Sequence, residues 1–337
     1  MYWLDPFSLL LSETAQRVQR RVLTEAPPAI PAAPLAPGEF GRVAFQWQGA
    51  MHDYWLFVPP AAASGHALPL VLMLHGCHQS AEDFAAGTAM NAAAAQAGVL
   101  VLYPAQSPWA NPQGCWNWFE PQHQRRGTGE LALLVAMLDD VASHQQPLDR
   151  RRIYVAGLSA GGAMAALLGS EYPDVFAAIG VHSGVQAKVV RNLHDALQVM
   201  DHGPQTDPAL LTPGPHLPVI AFHGDLDDTV HVRNSEYLID AVLADAMRRG
   251  LPLQRRSCTG QSVAGQAYTR TVYWEGPHEP MPERVLAEHW LLHAAGHAWA
   301  GGSPEGSYTD PSGVSASQEM LRFFLQHPAL PPTHLEF

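Results

Sequence analysis

The segment Gly157-Leu158-Ser159-Ala160-Gly161 sets one serine between two glycines, behind the apolar run "IYVA" and ahead of the alanine-rich "AMAALL". A serine hydroxyl is a weak nucleophile until a neighbouring base removes its proton, so the pattern asks for a histidine and an acid elsewhere. The string G-x-S-x-G is too short to be specific alone; its place between a strand and a helix gives it meaning. A strand that turns sharply into a helix strains the residue at the bend, and only glycine-sized neighbours leave room for it. The spacing therefore predicts that Ser159 is presented above a sheet as a nucleophile.

The chain order expected for such a nucleophile is serine, then acid, then histidine. After Ser159 comes "PVIAFHGDLDDTVHV", an apolar run followed by Asp225, Asp227 and Asp228. Asp227 holds the fifth position of H-G-x-x-D-x-x-V, where the turn after the strand points it inward. Asp225 and Asp228 are expected to be solvated or helix-capping. The segment "HWLLHAAGHAWAGG" then offers His289, His293 and His297. The first two fall within or at the end of a strand pattern, whereas His297 follows Gly296 on a loop free to swing over the sheet edge. His297 is thus the expected base, with Asp227 holding its tautomer. The tetrahedral intermediate needs two backbone donors: the amide of Ala160 at the helix start, and that of Cys77, which follows His75-Gly76. The chemistry would be acyl transfer through an acyl-enzyme, with no cofactor.

These residues need a frame. "RVAFQW" and "HDYWLFVP" alternate like an antiparallel pair, while "PLVLMLHG" and "GVLVLYP" are continuous apolar runs of strands buried on both faces. Helical patterns are expected around 82–97, 128–144, 160–170, 233–248 and 315–326. Further strands are expected in "RRIYVAG", "FAAIGVHSG", "PVIAFHG" and "ERVLAEHWLLHA". Strand and helix alternate, which predicts an α/β fold with a mostly parallel central sheet and helices on both faces. Residues 8–24 show helical spacing and 26–38 are proline-rich, so 1–40 reads as a helix and linker ahead of a catalytic domain at 41–330.

Composition narrows the partners. The 337 residues carry a net charge of −12, which argues against nucleic acid or an anionic membrane surface. No apolar run reaches the ~18 residues of a transmembrane helix. The N-terminus lacks a leader's basic start and small-residue cleavage site, which makes a cytoplasmic location the default expectation. Three cysteines form no C-x-x-C pair, and neither "HGCH" nor "HAAGH" carries a zincin glutamate, so no metal is expected.

Seven segments together resemble the esterases related to poly(3-hydroxybutyrate) depolymerases, within the α/β-hydrolase superfamily. They are "LHGCHQSAEDFAAGTAMN", "LYPAQS", "NPQGCWNWF", "AGLSAGGAMA", "HGDLDDTVH", "GHAWAGG" and "GSYTDPSGVSASQEMLRFFL", in that family's order. The resemblance implies Ser159, Asp227 and His297 as the triad, and a serine esterase acting on hydroxyalkanoate oligomers, amorphous polyester or short-chain esters. Feruloyl and acetyl-xylan esterases share similar motifs, and a carbohydrate ester is the alternative substrate. An acyltransferase or a non-catalytic binding protein on the same scaffold are the rivals of other classes.

The resemblance also implies a Cys77–Cys115 disulfide at the active-site rim and an extracellular setting; Cys258 is left over as an unpaired strand residue. Trp116, Trp118 and Trp299 flank the presumed mouth, where they either bind substrate or serve as core; His75 either braces its loop or faces the substrate. Polymer-degrading members carry a separate domain for the solid polymer, and none is expected here. Residues 185–217 lie between two sheet strands and are expected to cover the cleft.

Overall fold

The computed structural model describes residues 33–207, 217–250, 252–276 and 285–329. The helix and most of the linker expected in 1–40 lie outside them. Among the described residues of Pro34–Phe337, a compact unit, ten strands form one sheet. They are β1 (Phe40–Trp47), β2 (Ala50–Phe57), β3 (Leu68–Leu74), β4 (Leu100–Pro104), β5 (Leu148–Leu158), β6 (Ala178–His182), β7 (Val219–Gly224), β8 (Leu253–Gln261), β9 (Ala267–Glu275) and β10 (Ala287–Leu292). Their spatial order is β1-β2-β4-β3-β5-β6-β7-β10-β9-β8. The six central strands from β4 to β10 run parallel, and an antiparallel hairpin closes each edge.

Because side chains alternate across a strand, each buried strand feeds two cores. Leu70, Leu72 and Leu74 of β3 face one core; Val71 and Met73 face the other. The first core is covered by α3 (Gly129–Asp140), α4 (Ala160–Glu171) and α6 (Arg233–Arg248). The second is covered by α1 (Ala81–Thr88), α2 (Met90–Ala97) and α7 (Ala316–Leu325). The fold is therefore a mostly parallel sheet sandwiched by helices, consistent with the α/β-hydrolase fold. α4 is buried from Ala160 to Gly169, which explains why its sequence is apolar all round rather than striped. No helix of the described residues is long and apolar enough to cross a membrane.

The differences from expectation are local. The helix expected at 82–97 is broken in two at Ala89, which adopts a left-handed φ of 52°. Just before it, the Thr88 hydroxyl donates to the Phe84 carbonyl, and Gly87 lies against Gly306 and Thr309 so closely that a Cβ would fall 2.9 Å from Thr309 Cγ2. The β8–β9 hairpin was not expected. β8 is exposed along most of its length, so it lacks the apolar alternation by which an edge strand is recognised. Between β6 and β7, within 185–217, lies α5 (Leu193–His202); residues 208–216 are outside the described set.

Candidate active site

Ser159 occupies the bend between β5 and α4 with φ 58° and ψ −119°, a conformation that costs a non-glycine residue on the order of 1–3 kcal/mol. The surrounding backbone holds it there: its amide donates to the His182 carbonyl at 2.9 Å, and its carbonyl accepts from Ala163 N at 3.0 Å. Both flanking glycines are required by contact. A Cβ on Gly161 would lie 2.0 Å from the Leu74 carbonyl oxygen, and one on Gly157 would lie 2.4 Å from Gly161 itself. The elbow is thus pressed against the end of β3, and no larger residue fits at either place. Among the described residues the Ser159 hydroxyl has no hydrogen-bond partner.

Asp227 stands on the turn after β7 and His297 on the loop after β10, neighbouring parallel strands whose carboxyl ends share an edge with β5. His297 Nδ1 lies 2.8 Å from Asp227 Oδ2. The other oxygen, Oδ1, accepts the amides of Thr229 at 3.0 Å and Val230 at 2.8 Å. The Asp227 side chain is fully buried. Burial alone would raise its pKa. The hydrogen bonds from His223 and His297, the charge of His297 and the Val230 amide outweigh that, holding it well below the usual carboxylate range. An ionised Asp227 fixes the His297 proton on Nδ1 and leaves Nε2 as the basic nitrogen.

The sequence reading missed His182, which is fully buried. Its carbonyl holds the Ser159 amide. Its Nε2 accepts from Ala300 N at 3.1 Å, three residues beyond His297, and its Nδ1–H accordingly points to Ser183 Oγ at 3.2 Å. One residue therefore ties the β5–α4 bend at Ser159 to the loop that carries His297. The ring is stacked between Phe222 and Trp299 at centroid distances of 5.7 and 5.2 Å. Burial, reinforced by His223 and His297, pushes its pKa down to about 3. His223 was read only as part of a turn motif; its Nε2 lies 2.6 Å from the Val230 carbonyl and 3.4 Å from Asp227 Oδ2. Nothing in residue type separates these two from the protein's other sixteen histidines; only the strand-end position shared with Asp227 could have singled them out.

The loop after β3 carries the other expected donors. Gly76 N is occupied by Gln79 Oε1 at 2.9 Å and His78 N by Gln113 O at 2.8 Å. The Cys77 N–H between them has no acceptor among the described residues. Ala160 N is the first amide of α4, where no intrahelical partner exists. The two segments are neighbours, since a Cβ on Gly76 would lie 3.6 Å from Ser159 Cβ. Cys77 and Cys115 are joined by a disulfide, and Cys258 is a free, exposed thiol on β8. His75 is buried and braces the loop from below: its Nε2 accepts from Gln106 N at 3.2 Å and its Nδ1–H donates to Gly76 O at 2.8 Å. Gln106 in turn binds Glu130, a buried carboxylate that also holds both nitrogens of Asn117.

The tryptophans are core in this structure. Trp116, Trp118 and Trp299 are 1%, 6% and 0% exposed. Trp116 Nε1 donates to the His75 carbonyl and Trp299 Nε1 to Ser317 Oγ. Their burial makes them part of the packing under the rim, and His75 is likewise buried beneath its loop. Buried aromatics with satisfied N–H groups near a site shape it indirectly. Asp225 is not simply solvated either: it accepts from His293 Nδ1 at 2.9 Å and from Ala294 N at 2.7 Å. No group of three metal-ligating side chains is present among the described residues.

A family model described as esterase PHB depolymerase matches residues 52–249, more than half of the chain. The chain belongs to this esterase PHB depolymerase family. Among curated relatives, poly(3-hydroxyalkanoate) depolymerase C of Paucimonas lemoignei is 32% identical over 182 residues, covering 51% of this chain and 44% of that protein. Feruloyl esterase B of Neurospora crassa is 26% identical over 239 residues, covering 66% of this chain and 77% of that one. The chain thus spans less than half the length of the depolymerase it matches. Among solved structures, an acetyl xylan esterase from Aspergillus awamori superposes with a TM-score of 0.65 at 18% identity, covering 86% of this chain and all of the other. That likeness establishes the fold of this family member.

Proposed function

We propose that Ser159, Asp227 and His297 form the catalytic triad of this esterase, with the amides of Cys77 and Ala160 as its oxyanion hole. The observation that carries the reading is the Asp227–His297 hydrogen bond at 2.8 Å, made on the strand edge where the strained Ser159 emerges. His297 takes the Ser159 proton as Oγ attacks the ester carbonyl. The carbonyl oxygen gains charge and is held by the two amides. Collapse expels the alcohol, protonated by His297, and water then releases the acid by the same path. The serine and imidazole close on each other when substrate excludes water, as such pairs commonly do. Ser159→Ala tests the assignment: it should remain folded and lose hydrolysis of p-nitrophenyl acetate. Retained turnover would refute it.

For the substrate, a carbohydrate-linked ester, feruloyl or acetyl, has the broader support. The match to feruloyl esterase B spans 77% of that protein, against 44% for the depolymerase. The sequence alone had placed hydroxyalkanoate esters first. One observation keeps that second reading: exposed Trp109, Leu193, Leu197 and Leu226 lie on segments leaving the carboxyl ends of β4, β6 and β7, the edge that carries Ser159. An apolar rim suits an aromatic acyl group or a polyester chain alike. Residues 185–217, including α5, are assigned to specificity in both. Comparing rates on acetylated xylan, a feruloylated sugar, hydroxybutyrate oligomers and a polyhydroxybutyrate film separates the readings.

A further inference from the structure

The molecule holds a second aspartate–histidine pair beside the first. Asp225 Oδ2 lies 2.9 Å from His293 Nδ1, joined through the same atom types as Asp227 and His297 at 2.8 Å. Asp225 stands two residues before Asp227, and His293 four before His297. The imidazole's other nitrogen, Nε2, lies 2.9 Å from Thr269 Oγ1 on β9. Asp225 Oδ1 accepts the amide of Ala294, a non-glycine residue at φ 56°. Two backbone bonds run alongside, from Asp225 N to Leu292 O and from Leu226 N to Ala295 O, both 3.0 Å. The two loops pass in contact: a Cβ on Gly224 would fall 2.2 Å from the Ala295 carbonyl oxygen.

We infer that Asp225 and His293 are positioning residues, a clamp that sets the spacing between the acid-bearing loop and the base-bearing loop. The inference rests on the triad proposed above. The clamp's side chains are about one-third exposed, and exposed pairs of this kind contribute little to global stability. What they fix is local. The left-handed turn at Ala294 sets the path of the next three residues to His297, and Asp225 is the side chain that holds its amide. Without it the turn relaxes and His297 drifts from Asp227, and misplacement of about 1 Å is enough to slow a reaction substantially.

The test uses Asp225→Ala, His293→Ala and Asp225→Asn, with kcat expressed per active site titrated by the p-nitrophenol burst. A structural role alone would lower the number of titrating sites and leave kcat per site unchanged. Positioning predicts that Asp225→Ala and His293→Ala each lower kcat per site by about tenfold or more, with KM within about twofold. Asp225→Asn should recover most of the loss, because its oxygen still accepts Ala294 N and its amide can donate to the other imidazole tautomer. Added to His297→Ala, Asp225→Ala should cause no further loss, since it acts through that histidine. Unchanged kcat per site in both alanine variants, or a full additional loss on the His297→Ala background, overturns the clamp alone. Wild-type turnover in His297→Ala overturns the triad and the clamp with it.

Discussion

His223 Nε2 approaches Asp227 Oδ2 to 3.4 Å, the same oxygen to which His297 Nδ1 is bonded. With the amides of Thr229 and Val230 on Oδ1, this buried carboxylate faces only hydrogen-bond donors. An asparagine there would turn an N–H₂ group toward at least one of them, and His297 would be driven to the wrong tautomer. Asp227→Asn is therefore expected to lower kcat by about 10³–10⁴-fold with KM nearly unchanged. Steady-state kinetics on p-nitrophenyl acetate measure both, and a loss under tenfold would remove Asp227 from the triad.

Much of this site is legible in the chain because its chemistry is bound to strand ends. Gly157 and Gly161 announce the elbow, since nothing else fits between β5 and Leu74. Asp227 and His297 sit at the ends of apolar runs that read as buried strands. The supporting residues are less visible. His182 acts through its carbonyl and a buried imidazole, and neither leaves a signature in residue type. Asp225 looked solvated because its partner lies 68 residues away. The tryptophans carried an ambiguous signal, since a core aromatic and a pocket aromatic are the same residue. β8 escaped because a strand exposed along most of its length has no periodicity to read.

Two buried histidines make stability depend on pH. Burial pushes His182 down to about 3 and His289 down to about 4 from the ordinary 6.5, with His223 adding to both. Their folded-state values are lowered, so the unfolded chain takes up protons first as pH falls. The contribution is complete above pH 6.5 and declines as pH drops toward 4 for His289 and 3 for His182. Each histidine gives a slope of about 1.4 kcal/mol per pH unit within its window. Asp227, also lowered, adds a loss in the same direction at still lower pH. Urea unfolding should show a lower midpoint at pH 5 than at pH 7, and His289→Gln should reduce the difference. Equal midpoints would show that these imidazoles are protonated in the folded protein.

Gly161→Ala tests the elbow by contact alone. The added Cβ would stand 2.0 Å from the Leu74 carbonyl oxygen and 2.6 Å from that of His75, both backbone atoms that cannot rotate away. α4 must shift from β3, carrying Ser159 and the Ala160 amide away from Cys77. The expected cost is about 1–3 kcal/mol or more, with activity lost even where the protein stays folded. Denaturation and turnover measured together check it. A fully active Gly161→Ala would mean that the elbow and β3 are further apart than described.

Glu130 supports the same rim from inside. It is buried, has no cationic partner among the described residues, and accepts from Asn117 N at 2.8 Å, Asn117 Nδ2 at 2.7 Å and Gln106 Nε2 at 2.7 Å. Gln106 N donates to His75 Nε2, and the His75 ring holds the Gly76 carbonyl next to the Cys77 amide. Removing the carboxylate takes the acceptor from both buried Asn117 donors, each costing roughly 1–3 kcal/mol unless water enters, while the half-buried Gln106 Nε2 keeps only the Cys115 carbonyl. Glu130→Ala is expected to be strongly destabilised. Glu130→Gln keeps an acceptor for two of the donors but points an N–H₂ group at the third, and should fall between it and wild type. Because the network ends at the expected oxyanion donor, folded Glu130→Gln should lose kcat rather than KM, by about tenfold. Chemical denaturation followed by kinetics on the folded fraction decides it: full stability in Glu130→Ala, or a change confined to KM, would disconnect this carboxylate from the oxyanion loop.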